Sequence, residues 1–391
     1  VVVNTCAFLT SAVEESIEEI LEAAGPGKDV ICTGCLVSRY QTDLLRELPE
    51  VALFAGPGSY GGIVKAYEAH ARYLAPSFST VVKRSFTSGR KSAYVKVSEG
   101  CSNHCGYCLI PSLRGSLVSK PVQDVLDECR ALADSGVIEV ILVAQDLGAY
   151  GSDLGMRNGL ADLVERIAGI ETLRWVRLMY VHPASLTEAL VEQLEGNHRV
   201  CPYVDLPIQH VSGRVLEAMR RKGGAQAVQR AFEMLESAGR EIWIRTSLMV
   251  GHPSEDEGAF RELESFVSSG RIHHAGVFVY SPEEGTASSL LKDRPSRRTA
   301  LARMKRIMAL QKSVSRKRLK KMVGRTIEVL VEGAHPETDL LLVGRASFQA
   351  PEVDGTVIIT EGVVPSDFLA RVNVTGAWEY DLVGRIAGGI V

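Results

Sequence analysis

The sequence predicts an α/β protein in three parts: a parallel α/β domain, an open barrel of β/α units and a small all-β barrel. Three observations predict this fold class. Short apolar strands alternate with amphipathic helices over residues 1–75, and they alternate with a longer period from 92 to about 282. After residue 324 the helical pattern stops, and short Val/Ile/Leu strands follow one another across turns. The chain has 391 residues, which is enough for two or three separate cores.

The first domain, residues 1–75, contains three predicted strands that are each followed by a helix. The strands are Val1–Asn4, Asp29–Thr33 and Val51–Phe54, and the helices are Ser11–Ala24, Tyr40–Leu48 and Gly61–Tyr73. This alternation predicts a small parallel sheet. The chain starts on an apolar strand, without a Met or a basic, signal-like segment. We therefore expect this domain to be incomplete at its start.

A polar linker is predicted at 76–91, and the second domain at 92–321. Its predicted strands are Tyr94–Ser98, Glu139–Ala144, Trp175–Tyr180, Tyr203–Pro207, Trp243–Val250 and Gly276–Tyr280. Its predicted helices are Pro121–Ser135, Leu160–Ala168, Leu186–Leu194, Ala225–Ala238 and Glu255–Ser269. Six strands instead of eight indicate a partial (β/α)6 TIM-like barrel. Chemistry in such folds lies at the C-terminal ends of the strands.

The end of the chain changes in charge and in periodicity. Arg297 to Lys321 contains eleven Lys or Arg and no acid, and two interpretations remain open: contact with RNA, or a solvated helix face that covers the junction of two domains. The last segment, 322–391, has turns such as Val353-Asp354-Gly355 and little helical pattern. It predicts a small β-barrel.

Composition excludes several classes of protein. The hydrophobic content of 46% and the charged content of 23% are those of an ordinary globular protein. No run of eighteen apolar residues occurs, so we expect no membrane span. Eight cysteines are too sparse for a disulfide scaffold, but they are clustered. Without a secretion signal, clustered cysteines indicate metal ligation in the reducing cytoplasm.

The clearest cluster is Cys101-Ser-Asn-His-Cys105-Gly-Tyr-Cys108, with the spacing C-x3-C-x2-C, directly after the first predicted barrel strand. Three thiolates can hold three irons of a 4Fe–4S cubane and leave the fourth iron open. An open iron can chelate the amino and carboxylate groups of S-adenosylmethionine (SAM), and Tyr107 offers a ring on which adenine can stack. The alternative is a zinc site with His104 as fourth ligand, but zinc normally takes paired C-x2-C ligands. The spacing favours the cluster.

The segment around this loop, from Glu99 to Gly115, resembles the radical SAM motif of the methylthiotransferases. Other segments resemble further motifs of that family: Asn4-Thr5-Cys6, Thr33-Gly34-Cys35-Leu-Val-Ser-Arg39-Tyr40, Gln145-Asp146, Tyr203-Val-Asp205-Leu-Pro207-Ile-Gln209-His210 and Tyr280-Ser-Pro-Glu-Glu-Gly-Thr286. The last segment resembles the family's TRAM barrel. The resemblance covers essentially the whole chain, and it implies that the central barrel is a radical SAM barrel.

The resemblance implies two 4Fe–4S clusters, SAM and an external electron donor. Reduction of the barrel cluster then splits SAM into methionine and a 5′-deoxyadenosyl radical, and this radical removes hydrogen from the β-carbon of a target aspartate. The carbon radical takes a methylthio group from sulfur on the second cluster, with the methyl group drawn from another SAM. The protein's task is then mostly to position the reactants and to exclude water and oxygen.

Cys6 and Cys35 follow the first two predicted strands, so loops at one sheet edge can turn both toward one ligand. Alone this is a weak signal, because core cysteines at strand ends are common. The resemblance implies that both bind the second cluster, together with a third cysteine that would lie before Val1. We therefore expect the printed chain to complete one cluster only. Three more cysteines are predicted to be core residues: Cys32, Cys129 and Cys201.

Polar residues and one glycine at the strand ends or on the strands are predicted to contact the cofactor: Gln145, Asp146, Arg177, Gln209, Arg245 and Gly251. Arg177 and Arg245 would be costly to bury without a partner. A carboxylate of SAM or of the substrate is one candidate partner. An internal ion pair with a barrel carboxylate such as Asp205 is the other, and the sequence does not decide between them.

The family divides mainly into enzymes that modify a tRNA adenosine and enzymes that modify an aspartate of a small-subunit ribosomal protein, the twelfth. Glu283-Glu284 resembles the second group, since tRNA enzymes typically carry Arg-Pro there. Gly324–Val391 contains ten acids and four arginines, which suits a basic ribosomal protein better than RNA. We therefore predict a protein substrate, on or near the ribosome. A tRNA substrate is the alternative, and a non-catalytic iron–sulfur or zinc adaptor that binds the ribosome is a hypothesis of another class.

Overall fold

A computed structural model describes residues 1–77 and 91–387, and the predicted linker 76–91 lies almost entirely outside these residues. The N-terminal domain is a four-stranded sheet in which every pairing is parallel. Its strands are β1 (Val2–Thr5), β2 (Val30–Gly34), β3 (Val51–Ala55) and β4 (Tyr73–Leu74). Its helices are α1 (Thr10–Ala23), α2 (Cys35–Glu47) and α3 (Ile63–Glu68). The predicted helix Gly61–Tyr73 was too long, because α3 ends at Glu68 and Tyr73 already belongs to β4.

The second domain is a half-barrel of six parallel strands, and their order in the sheet is their order in the chain. These strands are β5 (Ser92–Lys96), β8 (Glu139–Val143), β9 (Trp175–Leu178), β10 (Val200–Asp205), β11 (Trp243–Val250) and β12 (His274–Val279). A two-stranded ribbon, β6 (Ser98–Glu99) with β7 (Val118–Ser119), extends the first of them. The predicted partial (β/α)6 barrel is confirmed. The predicted single strand Tyr94–Ser98 was wrong, because the chain leaves the sheet after Lys96 and pairs with β7 instead.

Helices occupy the connections between these strands, and the longer ones cover the outer face of the half-barrel. They are α4 (Ile110–Arg114), α5 (Val122–Asp134), α6 (Gly159–Ala168), α7 (Glu188–Gly196), α8 (Gly213–Ala218), α9 (Gly224–Glu236) and α10 (Glu257–Ser268). Alternate strand residues such as Val140, Val176 and Leu248 pack against apolar helix residues in one continuous core. The short helices α4 and α8 were not predicted, since each spans too few residues to show a helical period.

The basic segment forms one long helix, α11 (Arg297–Lys320), which leads to a closed barrel of five strands. The barrel strands are β13 (Thr326–His335), β14 (Thr338–Ala346), β15 (Val357–Ile359), β16 (Leu369–Ala377) and β17 (Leu382–Ile386). Several basic side chains of α11 pair with acids of α10 or of the terminal barrel; Arg303 contacts Glu257, and Lys312 contacts Glu379. These contacts agree with a helix that covers a junction. Within the described ranges, no helix is long and apolar enough to cross a membrane.

The terminal barrel covers the N-terminal ends of the half-barrel strands, and we call this contact the floor. Glu139, the first residue of β8, accepts hydrogen bonds from Arg177 Nε (2.7 Å) and from Arg345 Nη2 of β14 (2.6 Å). Arg177 and Glu139 have no exposed side-chain surface. Both charges are therefore removed from water and compensated across two domains.

Two of the predicted cofactor contacts, Arg177 and Arg245, have protein partners at the floor. Arg177 is held by Glu139 and by the carbonyl of Ser347, 2.8 Å away. Arg245 Nη1 lies 3.0 Å from Asp354 Oδ1, a carboxylate of the terminal barrel. Both guanidinium groups are thus held by carboxylates at the floor, Arg177 within the half-barrel and Arg245 across the domain contact, which argues against the predicted contact with the cofactor. The sequence had left an internal ion pair open, but it had not indicated these carboxylates.

Candidate active site

The three-cysteine loop follows β6 at the C-terminal end of the half-barrel, which we call the rim. Its start is fixed by Gly100, whose φ of +75° favours glycine; a Cβ there would lie 2.1 Å from the carbonyl oxygen of Ser116. Cys101 N donates to the carbonyl of Gly115 at 3.1 Å. The loop therefore closes on itself from Cys101 to the end of α4, and its three cysteines share one enclosed turn.

All three thiols of this loop are free, and they are partly or fully buried. Burial raises the pKa of Cys101, and it raises the pKa of Cys108 to about 12. Metal binding must therefore displace their protons. Among the residues described, no three side chains of His, Cys, Asp or Glu already form a single-ion site. A cubane requires a wider arrangement, since each of three irons takes its own thiolate, and three free thiols on one loop fit that requirement.

Gly106 anchors the middle of the loop to the opposite side of the half-barrel. Its N–H donates to the carbonyl of Met219 at 2.7 Å, and its carbonyl accepts from Ser288 N at 2.7 Å. A Cβ at Gly106 would lie 3.0 Å from Ser288 Oγ and 3.4 Å from the carbonyl of Ala218. Ser288 Oγ is in turn 3.0 Å from His252 Nε2. The loop thus spans the rim, and a side chain at 106 would push it away from α8.

Arg221 is a site residue that sequence reasoning missed. Its Nη1 lies 3.5 Å from Cys105 Sγ and 3.2 Å from the Tyr107 hydroxyl, and its Nη2 donates to the carbonyl of Pro207. A fixed positive charge beside a thiolate favours the ionised form that iron needs. The sequence feature that could have indicated this role is the basic group Arg220-Arg221-Lys222, which stands next to two glycines between predicted elements.

Asp146 connects the loop to the ends of two neighbouring strands. Its carboxylate accepts from Asn103 Nδ2 at 2.6 Å, from Ser185 Oγ at 3.1 Å and from His182 N at 3.3 Å. Only 3% of its surface is exposed. Asp146 is therefore at the predicted site, where its observed role is to fix the loop.

The remaining predicted residues also lie at the rim. Tyr107 packs beside Val215 and Met219, and Gln209 has a left-handed backbone with a φ of 69°. For a residue other than glycine this conformation carries strain, which is common at functional positions. Gly251, with a φ of 80°, has a packing reason, because a Cβ there would lie 2.6 Å from Cβ of Ala300 on α11. Contacts of these residues with SAM stay predictions.

The second cysteine pair lies next to the first set. Arg114, at the end of α4, donates to Glu99 Oε1 at 2.8 Å and also hydrogen-bonds the Cys35 thiol. Gln145 Nε2 donates to the same Glu99 oxygen at 3.1 Å. Burial raises the pKa of Cys35, and Arg114 opposes this. Cys35 was expected on a loop, but it begins α2, because Gly34 supplies the turn.

Cys6 does follow β1 on a loop, and its thiol is exposed. Cys6 lies close enough to Cys35 for a charge on it to raise the pKa of the Cys35 thiol. The three cysteines predicted to be core residues, Cys32, Cys129 and Cys201, are buried in that role.

Family comparisons match all three parts of the chain. Residues 1–56 match the Uncharacterized protein family UPF0004, residues 95–267 the Radical SAM superfamily and residues 323–387 the TRAM domain. Among curated proteins, the ribosomal protein uS12 methylthiotransferase RimO of Geobacter sulfurreducens is 40% identical, with 99% of this chain and 90% of that protein covered. The RimO of Syntrophobacter fumaroxidans is 42% identical over 99% of this chain and 89% of that protein. The RimO of Aquifex aeolicus is 40% identical over 98% and 88%.

Among solved structures, a radical S-adenosylmethionine methyltransferase from Kitasatospora setae, TsrM, is similar in fold. It superposes with a TM-score of 0.53 at 14% identity, over 68% of this chain and 60% of that one. At this identity the likeness shows the fold alone, and it agrees with the half-barrel described above.

Proposed function

The chain belongs to the RimO family of ribosomal protein uS12 methylthiotransferases, and we propose that it transfers a methylthio group to the β-carbon of an aspartate in uS12. The observation that carries this proposal is the 40–42% sequence identity to RimO proteins over 99% of the chain, together with the C-x3-C-x2-C loop at the rim. The radical SAM family implies one 4Fe–4S cluster and SAM. When bound, they supply the 5′-deoxyadenosyl radical that removes a hydrogen atom from the substrate.

The residues of the chain hold and shield this reaction. Cys101, Cys105 and Cys108 would ligate the cluster, while Arg221 places a positive charge beside Cys105. Asp146 holds the loop through Asn103, so the ligands keep their place while substrate enters. The terminal barrel closes the floor and thereby keeps water from the opposite end.

The test is an anaerobic incubation of the enzyme with SAM, dithionite and either uS12 or tRNA, followed by mass spectrometry. We expect 5′-deoxyadenosine and a methylthio adduct on an aspartate of uS12. An adduct on tRNA adenosine, with none on the protein, would contradict the substrate assignment. Cys105→Ala should make no 5′-deoxyadenosine, because an open-iron cubane has no spare ligand. Normal cleavage of SAM by that variant would show that the loop does not hold the SAM-cleaving cluster, and it would refute the proposal.

For the second cluster, we propose Cys6 and Cys35 as two of its ligands, with Arg114 favouring the thiolate of Cys35. Two thiolates do not complete a three-cysteine site. The 391 residues as printed should therefore retain about four irons after reconstitution and desalting, and the methylthio assays use the enzyme with the third cysteine that the family resemblance implies. Retention of close to eight irons would show that the second site needs no further cysteine.

A further inference from the structure

We propose that Glu283 is the positioning residue that locks the N-terminal domain onto the rim, and that this lock sets Cys6 and Cys35 against the three-cysteine loop. The inference rests on the proposed function for its second half only. Its first half, the lock, concerns contacts that the chain makes without any cofactor.

Glu283 lies on the loop after β12 and reaches into the N-terminal domain. Its Oε1 accepts from Thr10 N at 3.0 Å, and its Oε2 accepts from Thr10 Oγ1 at 3.0 Å. Arg39 donates to the same Oε2 from both terminal nitrogens, at 3.2 and 3.3 Å. Only 2% of the Glu283 side chain is exposed. A buried carboxylate with four donors from another domain is a specific interdomain contact.

The carboxylate also replaces a cap that α1 lacks. The N-cap position of α1 is Leu9, which offers no side-chain hydrogen bond, and the first turn contains no acid. A helix start without a cap leaves backbone N–H groups unsatisfied. Glu283 satisfies Thr10 N from 273 positions away, and its negative charge faces the positive end of the helix dipole. The start of α1 is therefore completed only when the two domains are docked.

Both cysteine-bearing elements of the N-terminal domain are attached to this carboxylate. Arg39 lies four residues after Cys35 on α2, so the two share one helix face. Arg39 Nη1 also donates to the carbonyl of Ala7, 2.8 Å away, in the loop that carries Cys6. Fixing Arg39 thus fixes the two thiols relative to each other and to the rim.

Two hydrogen bonds within its own loop also hold Glu283. Ser281 Oγ donates to Glu283 Oε1 at 2.8 Å, and Thr286 Oγ1 donates to the Glu283 carbonyl at 2.7 Å. Although burial opposes it, hydrogen bonds from Thr10, Ser281 and Arg39 hold the pKa of Glu283 below its usual value. The neighbouring Glu284 is exposed, which makes it a matched control. An arginine at position 283 would be repelled by the positive charge of Arg39.

The experiment compares Glu283→Gln with Glu284→Gln in the full-length enzyme, and it has two readouts. The first is hydrogen exchange in the apo protein over the start of α1: Glu283→Gln should accelerate it roughly tenfold, through loss of a charge-assisted bond. The second is the ratio of methylthio product to 5′-deoxyadenosine: Glu283→Gln should lower it roughly tenfold, while SAM cleavage stays within about twofold. Glu284→Gln should change neither.

Each outcome has one meaning. Unchanged exchange in Glu283→Gln overturns the lock, whatever the enzyme's substrate. Faster exchange with an unchanged product ratio overturns the positioning role. If the wild type makes no methylthio product on uS12, the proposed function fails. The hydrogen-exchange measurement would still test whether Glu283 holds the two domains together. Thr10→Val removes only the hydroxyl donor and keeps the backbone bond, so it should show both effects in weaker form should Glu283→Gln fail to fold.

Discussion

The half-barrel meets its two neighbouring domains in different ways. At the floor, Glu139 and two arginines are fully buried, and the Trp243 ring stacks on Phe348 at 4.1 Å. At the rim, the N-terminal domain is held by Glu283 and by the apolar side of α4, where Leu113 enters its core. At the floor the domains are joined by buried charges, and separating these charges costs much free energy. At the rim a few contacts fix the positions of the cysteines. Stability is concentrated at one end of the half-barrel and the geometry of the reaction at the other.

The largest expected effect comes from breaking the floor at Arg345. Arg345→Ala leaves the buried Glu139 carboxylate with Arg177 as its one charged partner among the described residues, and this should cost about 3–5 kcal/mol of unfolding free energy. The loss is measured by chemical denaturation. Arg385→Ala, on the same barrel, removes an exposed pair with Glu361 and should cost less than about 1 kcal/mol. Equal losses of unfolding free energy in the two variants would show that the buried ion pair at the floor stabilises the protein no more than an exposed one.

Acid should weaken the floor through protonation of Glu139. Burial alone would raise the pKa of Glu139, but Arg177 and Arg345 hold it at about 2, against a usual value of 4.5. A folded pKa below the unfolded one gives stability that is present above about pH 4.5 and is lost as the pH falls toward 2. The contribution is about 3 kcal/mol. In denaturation experiments between pH 5 and pH 3, Glu139→Gln should show a flatter slope than the wild type, and an equal slope would contradict the assignment.

Asp205, near the floor on β10, should have the opposite pH dependence. Its Oδ1 is buried and has no hydrogen-bond partner among the described residues, and burial raises its pKa to about 7 although Arg245 opposes this. A folded pKa above the unfolded value means that stability falls as the pH rises from about 4 to about 7. Asp205→Asn should therefore stabilise the protein on the order of 2 kcal/mol at pH 8 and hardly at pH 4. Melting temperatures at both values test this; a stabilisation that is the same at both would refute it.

The smallest effect concerns the outer surface of the terminal barrel, which contributes to neither interface. Of the acids that the sequence suggests for substrate contact, Glu328 accepts from Trp175 Nε1 at 3.1 Å and belongs to the floor. Glu337 and Asp339 are exposed at the β13–β14 hairpin. Reversing both to Lys should weaken association with uS12 by about 1 kcal/mol, and less at high salt.

A matched reversal at Glu165 and Glu262, exposed on α6 and α10, is the control for that experiment. Titration of uS12 at two salt concentrations measures the difference, and SAM cleavage should be unaffected in both double variants. Equal weakening by the two would mean that only the net charge matters.

The sequence predicted most of the fold, because the period of apolar residues reports directly on buried strands and helices. It also predicted the cysteine loop, whose spacing is local. It did not predict the partners of Arg177 and Arg245, since Glu139 lies on a neighbouring strand 38 positions away and Asp354 reaches Arg245 through a domain contact, and no local pattern encodes either pairing. Arg221 and Arg39 were missed as site residues for the same reason: their roles depend on atoms 32 to 244 positions away.

The distance along the chain between Glu139 and Arg345 has a consequence for synthesis. These residues are 206 positions apart, so at 5–20 residues per second a ribosome needs roughly 10–40 s to add the second after the first. In the last part of that time, after Val279 completes β12, the half-barrel has its strands but not its cover, and Trp243 and Glu139 stay open to the surroundings. The nascent chain is then most exposed to aggregation and most in need of a chaperone. This period ends when the terminal barrel folds and covers the floor. A translation product interrupted before that point would contain a formed half-barrel whose floor stays exposed and prone to aggregation.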